Sequence, residues 1–443
     1  MKNIKIFSLV LFFGFTIHVS AQEVWTLQKC LETGMKNNLD FQLKQLDILS
    51  AEKTHRSPLL DLLPRVTFSG NQTYSIGSTI DPSTNNRVSS NIQSNNLSLN
   101  ANMNLVDFNS FTQARRNKIA ILKSKADKEV TANEYQLSIL ENYFNVLYSQ
   151  ELLKIQNVQF QNAQFNLNRI QKEVEIGSKP QSDLYDMQVS YAQEENNILS
   201  TKQLLENQKL TLLQLMNITT VLPNDFLVEP LATTEFPTVL SPKTIFEDAL
   251  KNSPIIHSAE LNEQIFKKNI NIERNKSLPV LSAFYTFSSF YFLPISQSNA
   301  VVDPFWTQIN SNKNHYIGIQ LSVPLFNGLR NSQNVQLSKI EYQKKSVATK
   351  QEKIKLNNII TQEITKQEQN RVLVTQLENT EILAEKSFQT TQSKFTSGLV
   401  DATIFTTSKN QLITTQYNLL KAKFTVHYLS LKLNFLAHNK FTL

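Results

Sequence analysis

The chain has 443 residues, with 44 Lys and Arg against 37 Asp and Glu, 8 glycines and one cysteine. A single cysteine excludes an intrachain disulfide framework, and scattered charges without a basic block interleaved with aromatics exclude a nucleic acid partner. No stretch past residue 22 approaches 18 consecutive apolar residues, which excludes a bundle of membrane-spanning helices.

Lys2 and Lys5 precede an apolar run from Ile6 to Val19, and Val19-Ser20-Ala21 offers a small-residue cleavage site before Gln22. The pattern predicts a secretory signal peptide over 1–21, its apolar run being shorter than the roughly 20 residues that a spanning helix needs. The mature chain is therefore expected to be exported. Cys30 lies too far past the cleavage point to be a lipidated first residue and reads as a small helical core residue.

A helix is expected over about 23–60, ending before Leu63-Pro64. Two strand-like stretches follow, separated by the turn-rich GSTIDPSTNNRVSSNIQSN, then a very long helix over about 110–175, a turn at Gly177, and a further helix. Residues 217–242 hold four of the 13 prolines and read as an extended linker. The same order then returns: a helix over about 242–276 ending before Leu278-Pro279, two strands, a long helix over about 329–396, a turn at Gly398 and a last helix.

Sequence similarity follows that order. TLQKCLETGMKNNLDF (26–41) aligns with SPKTIFEDALKNSPII (241–256), LVDFNS (105–110) with VPLFNG (323–328), and EIGSKP (175–180) with TSGLVD (396–401). The chain thus reads as two internal repeats, 22–216 and 243–443, joined by the linker. In the first long helix Ile119, Leu122, Ala126, Val130, Asn133, Leu137, Leu140, Phe144 and Leu147 step by three or four, the spacing of a coiled-coil seam. At about 1.5 Å per residue such a helix is roughly 100 Å long, more than a globular domain needs.

The strands alternate strictly. Leu99, Ala101 and Met103 alternate with asparagines, and Ile317, Ile319 and Leu321 alternate with Gly318 and Gln320. These apolar residues are expected to face lipid, with the small polar residues lining a wet lumen. A soluble half-buried strand has the same period. The aromatics Phe284, Tyr285, Phe287, Phe290, Tyr291 and Phe292, with Trp306, Tyr316, Tyr74, Phe108 and Phe326 near other strand ends, favour an interfacial girdle. Four strands cannot close a barrel, and open edges are not tolerated in lipid, so several chains must contribute. Two chains would give eight strands around a filled lumen and three would give twelve around a pore; the polar face favours three.

Taken together, the duplicated order, the Leu-Pro helix ends, the PLFNG stretch and the two glycine hairpins resemble the TolC-type outer-membrane efflux proteins over nearly the whole mature chain. The resemblance implies a mixed membrane protein: a homotrimer with four transmembrane strands per chain in a twelve-stranded barrel, and a long antiparallel helical coiled-coil barrel through the periplasm. It implies a passive exit duct of a tripartite efflux or type I secretion system, with outer-membrane lipid around it. Its partners would be a periplasmic adaptor and an inner-membrane pump. In that family the hairpin ends form the entrance and adaptor-docking tips, which here are Gly177 and Gly398, with acids six and nine positions beyond the glycine. Asp183 and Asp186 stand there in the first hairpin. The second departs, with Ile404 and Thr407 at those places and Asp401 nearer the turn. For Asp183 and Asp401 helix capping and gating both remain open, and the two glycines are expected in left-handed turns.

No enzyme constellation is evident: His55, His257, His315, His427 and His438 lack metal-ligand spacing, and neither a phosphate loop nor a nucleophile motif is present. No cofactor is expected. The alternative is a secreted helical pore-forming or fibrous coiled-coil protein.

Overall fold

The computed structural model describes residues 24–55, 57–80, 85–89, 91–230, 241–295 and 301–441. The expected signal peptide lies outside these residues, as does part of the linker, 231–240. By its internal contacts the chain divides into two compact units. One is formed by residues up to 41 with 131–252 and 357–443, the other by 42–130 with 253–356.

In chain order the elements are β1 (Val24–Trp25), α1 (Leu27–Asn37), α2 (Leu39–Thr54), α3 (Pro58–Asp61), β2 (Arg65–Ser75), β3 (Ser78–Ile80), β4 (Arg87–Ser89), β5 (Ile92–Val106), α4 (Phe108–Glu175) and α5 (Gln181–Leu215). There follow β6 (Leu227–Val228), α6 (Pro242–Asn252), α7 (Pro254–Asn275), β7 (Val280–Pro294), α8 (Phe305–Ser311), β8 (Asn314–Ser322), α9 (Arg330–Thr396) and α10 (Ala402–His438). The two long helices lie within two residues of expectation. The leading helix of each half is not one helix but two. Asn38 leaves the helical region, with φ −69° and ψ 119°, and its Oδ1 accepts from Phe41 N at 2.9 Å, capping α2. Ser253 is extended because the ring of Pro254 disfavours helical geometry in the residue before it.

The unit that contains the sheet is built on an antiparallel order β2-β5-β7-β8, with β3 and β4 a separate hairpin. Residues opposite one another in antiparallel strands share a face. Register therefore gathers Val66 and Phe68 with Leu97, Leu99 and Ala101, then with Ala283, Tyr285 and Phe287, then with Ile317 and Ile319. Met103 opposite Ala283 and Leu321 opposite Leu281 extend the same face. The other face carries Thr67, Ser69, Ser98, Asn100, Thr286 and Gln320. It is knit by Ser69 Oγ to Ser98 Oγ at 2.7 Å and by Thr286 Oγ1 donating to Asn100 Oδ1 at 2.9 Å.

The β7 aromatics do not form a one-sided girdle at a strand end. Strict alternation puts Tyr285 and Phe287 on the apolar face and Phe284, Phe290 and Phe292 on the polar one. Phe284 there lies over Gly318, where an added Cβ would come within 2.6 Å of its ring. Among the described residues the outer edges of β2 and β8 have no strand partner. Helix α7 is tied to α4 by Asn275 Nδ2, which donates to Thr112 Oγ1 at 2.7 Å, and to α9 by Lys353 and Glu260 at 2.7 Å.

The other unit is helical apart from the parallel pair β1 and β6. Its main core joins Trp25, Cys30 and Leu31 to Ile139, Leu140, Phe144 and Leu147 of α4, to Leu212 and Leu213 of α5, and to Phe226. Cys30 is wholly buried and burial pushes its thiol up to about 12, in keeping with a core role. The expected α4 seam is buried at Ala126 and from Leu140 to Leu147, whereas Leu122 is exposed.

Candidate functional site

The hairpin α4–α5 and the hairpin α9–α10 end side by side in the helical unit. Each long helix stops by the same backbone device. Gly177 has φ 75° and Gly398 φ 74°. Ser178 N donates to Glu173 O at 2.8 Å and Gly177 N to Val174 O at 3.0 Å; Leu399 N donates to Lys394 O at 2.8 Å and Gly398 N to Phe395 O at 3.2 Å. These are the paired bonds of a Schellman termination, and they need a left-handed residue that glycine supplies without steric cost.

The three aspartates take three different places. Asp401 is the N-cap of α10, with Oδ1 accepting from Ile404 N at 2.9 Å. Asp183 is not a cap. Pro180 holds that position in α5, and Asp183 sits buried in the first turn, its carboxylate 3.7 Å from Lys179 Nζ of the same hairpin. Asp186 reaches the other hairpin, accepting from Thr403 Oγ1 at 3.3 Å.

Two further links between the hairpins carry no acid and were not legible as a motif. Arg169 Nη1 donates to Thr396 Oγ1 at 3.0 Å, and its guanidinium carbon lies 5.2 Å from the centre of the Phe395 ring. Lys179 Nζ lies 5.0 Å from the same ring. Phe395 stacks on Phe405 at 4.6 Å, in a cluster completed by Ile170, Met187 and Ala402. The hairpin ends are therefore joined by an apolar plug with cations held over its aromatic faces. Outside it Ile176 and Leu399, at the two turns, are exposed.

Further along, Lys409 of α10 meets Glu194 of α5 at 3.0 Å and donates to Ser190 Oγ at 2.8 Å. Lys409 is 3 % exposed and Glu194 4 %. The Glu194 charge, after burial, helps push the Tyr417 hydroxyl up to about 12. Sequence reasoning missed this pair. The available signal was a step of four and three from Phe405 through Lys409 to Leu412, which puts a lysine in the seam between apolar residues. Between α9 and α10 runs a groove of 540 Å³ lined by Thr380, Leu383, Ala384, Ile404, Thr407 and Ser408. Among the described residues no group of His, Cys, Asp and Glu is arranged to hold a metal ion, and no helix is long and apolar enough to cross a membrane.

The profile of the family described as Outer membrane efflux protein matches residues 31–217 and 245–436. No curated protein matches the sequence. Among solved structures, the channel-forming protein CusC superposes with a TM-score of 0.77 at 17 % identity, covering 93 % of this chain and 91 % of that one. The outer membrane protein VceC of Vibrio cholerae gives 0.74 at 15 %, covering 92 % and 95 %. The outer membrane channel CmeC of Campylobacter jejuni gives 0.75 at 16 %, covering 94 % and 86 %. At these identities the superpositions carry the fold alone, and it is the sequence profile, matching most of the chain in two stretches, that assigns the protein: it belongs to the outer membrane efflux protein family, outer-membrane channels rather than enzymes.

Proposed function

We propose that the chain is one of three copies of a passive exit duct, part of a tripartite efflux or type I secretion system. The observation that carries this reading is the four-stranded sheet, with one apolar face, one face of Asn, Ser and Thr that also carries Phe284, Phe290 and Phe292, and, among the described residues, two unpaired outer edges. In hydrocarbon an unpaired edge costs several kcal/mol per backbone group, so β8 of one chain is expected to pair with β2 of the next until the ring closes. Three copies give twelve strands, with Leu99, Ala101, Met103, Ile317, Ile319 and Leu321 toward lipid and the Asn and Ser face toward the lumen. Membership of an outer-membrane family leaves no place for a secreted fibre.

The long helices are assigned to the periplasm and the glycine turns to the entrance, where a periplasmic adaptor docks on the exposed Ile176 and Leu399 and an inner-membrane pump supplies the energy. The duct itself opens when the α9–α10 hairpin separates from α4–α5. That motion breaks the bonds from Arg169 to Thr396 and from Asp186 to Thr403 and parts the apolar plug. The duplicated domain order, 22–216 and 243–443, is read as two copies of one hairpin-bearing unit, consistent with a family profile matched in two stretches.

Single-channel conductance in planar bilayers tests the gating role. Asp186→Ala removes a bond between hairpins and is expected to raise the open fraction, whereas Asp183→Ala, whose partner Lys179 is in its own hairpin, leaves it close to wild type. Equal effects of the two changes would refute the assignment.

A further inference from the structure

A groove of 340 Å³ lies just beyond one end of the sheet, wholly within the sheet-bearing unit, and is lined among others by Arg274, Ser277, Leu325, Phe326, Leu329 and Ser332. Register fixes its level. Val280 pairs with Ser322, so Ser277 and Leu325 each stand three residues beyond that pair, with Arg274 in the last turn of α7.

Two properties of this groove are unusual. Leu325 is 91 % exposed, Phe326 81 % and Leu329 71 %, so three large apolar side chains stand together at the surface. Such patches mark a surface that something apolar covers. They continue the apolar face: Ile319, Leu321 and Val323, all exposed, lead along the chain to Leu325. The second property is charge. No acidic residue lines the groove, and Arg274 forms no ion pair among the described residues; the adjacent Glu273 pairs with Lys276 at 2.7 Å. A guanidinium free beside an apolar lip suits a ligand with a phosphate at one end and hydrocarbon at the other.

The aligned stretch of the first half also exposes apolar side chains, Phe108 and Phe111 among them, but it differs in charge. Asp107 of LVDFNS stands where VPLFNG has Leu325, and its carboxylate accepts from Asn109 N at 2.8 Å and Ser110 Oγ at 3.1 Å. A fixed carboxylate there repels phosphate.

We propose that this groove binds one anionic phospholipid per chain from the periplasmic leaflet, with the phosphate on Arg274 and the acyl chains over Leu325, Phe326 and Leu329. The proposal rests on the membrane-duct reading above.

Two measurements on the full chain test it. Native mass spectrometry of protein purified in mild detergent with added phosphatidylglycerol is expected to retain one lipid per chain, with retention falling about tenfold in Arg274→Glu and unchanged in Arg115→Glu, a basic residue outside the groove. Equal retention by the wild type and Arg274→Glu overturns the proposal. Second, a nitroxide on Leu325→Cys in phospholipid nanodiscs reads what covers the site, Cys30 being fully buried and closed to the reagent. The label is expected to be accessible to oxygen and shielded from an aqueous nickel chelate. Shielding from both means that another copy of the chain covers the groove, and access to nickel means water; either overturns the proposal. A label on Ile319→Cys separates the two readings. If it reports lipid while Leu325→Cys does not, only the groove assignment falls, and if it reports water the membrane duct falls with it.

Discussion

Replacing Lys409 by Met keeps the length of the side chain and removes its charge, leaving Glu194 buried. The remaining contact to that carboxylate is Asn197 Nδ2 at 3.4 Å, a weak replacement for an ammonium at 3.0 Å. Breaking one side of a buried pair costs about 3–5 kcal/mol, and the surviving amide argues for the lower end, about 3 kcal/mol. At 1.4 kcal/mol per tenfold, that is roughly a hundredfold in the equilibrium for opening α5 away from α10. Hydrogen exchange read by mass spectrometry on peptides covering 186–198 and 402–412 is the assay. Lys409→Met is expected to exchange roughly a hundredfold faster there, while peptides from the sheet are unchanged. The double variant Glu194→Leu with Lys409→Met removes both charges and is expected to recover most of the protection, since apolar replacement of a whole buried pair is often close to neutral. Wild-type exchange in the single variant, or a double variant as fast as the single, would refute the idea that this pair joins the hairpins.

Ala at Gly177 or Gly398 meets no atom within 4 Å, so its cost is backbone strain alone, about 1–2 kcal/mol in the left-handed region; thermal melts of the purified protein should fall for both changes and fall less for Asn. Gly318→Val drives a side chain into the Phe284 ring and should lower the yield of heat-resistant oligomer on gels, whereas Gly70→Ala, whose Cβ would come closest to the end of Leu97 at 3.1 Å and touch the Phe68 ring at ordinary contact distance, should be milder. Cys30, wholly buried with its thiol pushed up to about 12, is predicted to stay unreactive toward thiol reagents at pH 8 and to react only after denaturation; rapid labelling of the native protein would contradict the packing of α1.

The parts of this fold written in local chemistry were legible. Glycine in a glycine-poor chain marked both hairpin turns, and alternation in 97–105 and 317–323 assigned the faces of β5 and β8 before register was known, because a strand has period two whatever its neighbours. Asn38 and Pro254, which divide the leading helices, are also local signals, but an unbroken apolar period ran across them and hid the break. What could not be read were contacts made by distant segments. Asp183 and Asp186 are three residues apart in one sequence pattern, yet one turns to its own Lys179 and the other to Thr403, a choice set by how two hairpins pack. The Arg169 to Thr396 bond and the Lys409 to Glu194 pair join residues more than 200 positions apart, with nothing in either segment alone to announce them.

The claim on which the rest depends is that the free edges of β2 and β8 are joined by other copies of the chain within a membrane. Single-particle electron microscopy of the protein in lipid nanodiscs tests it most directly. The account predicts a three-fold particle with a twelve-stranded barrel inside the lipid disc, each β8 hydrogen-bonded to the β2 of the neighbouring chain. A barrel closed by any other number of chains, or a sheet whose outer edges stay unpaired outside the lipid, would contradict it.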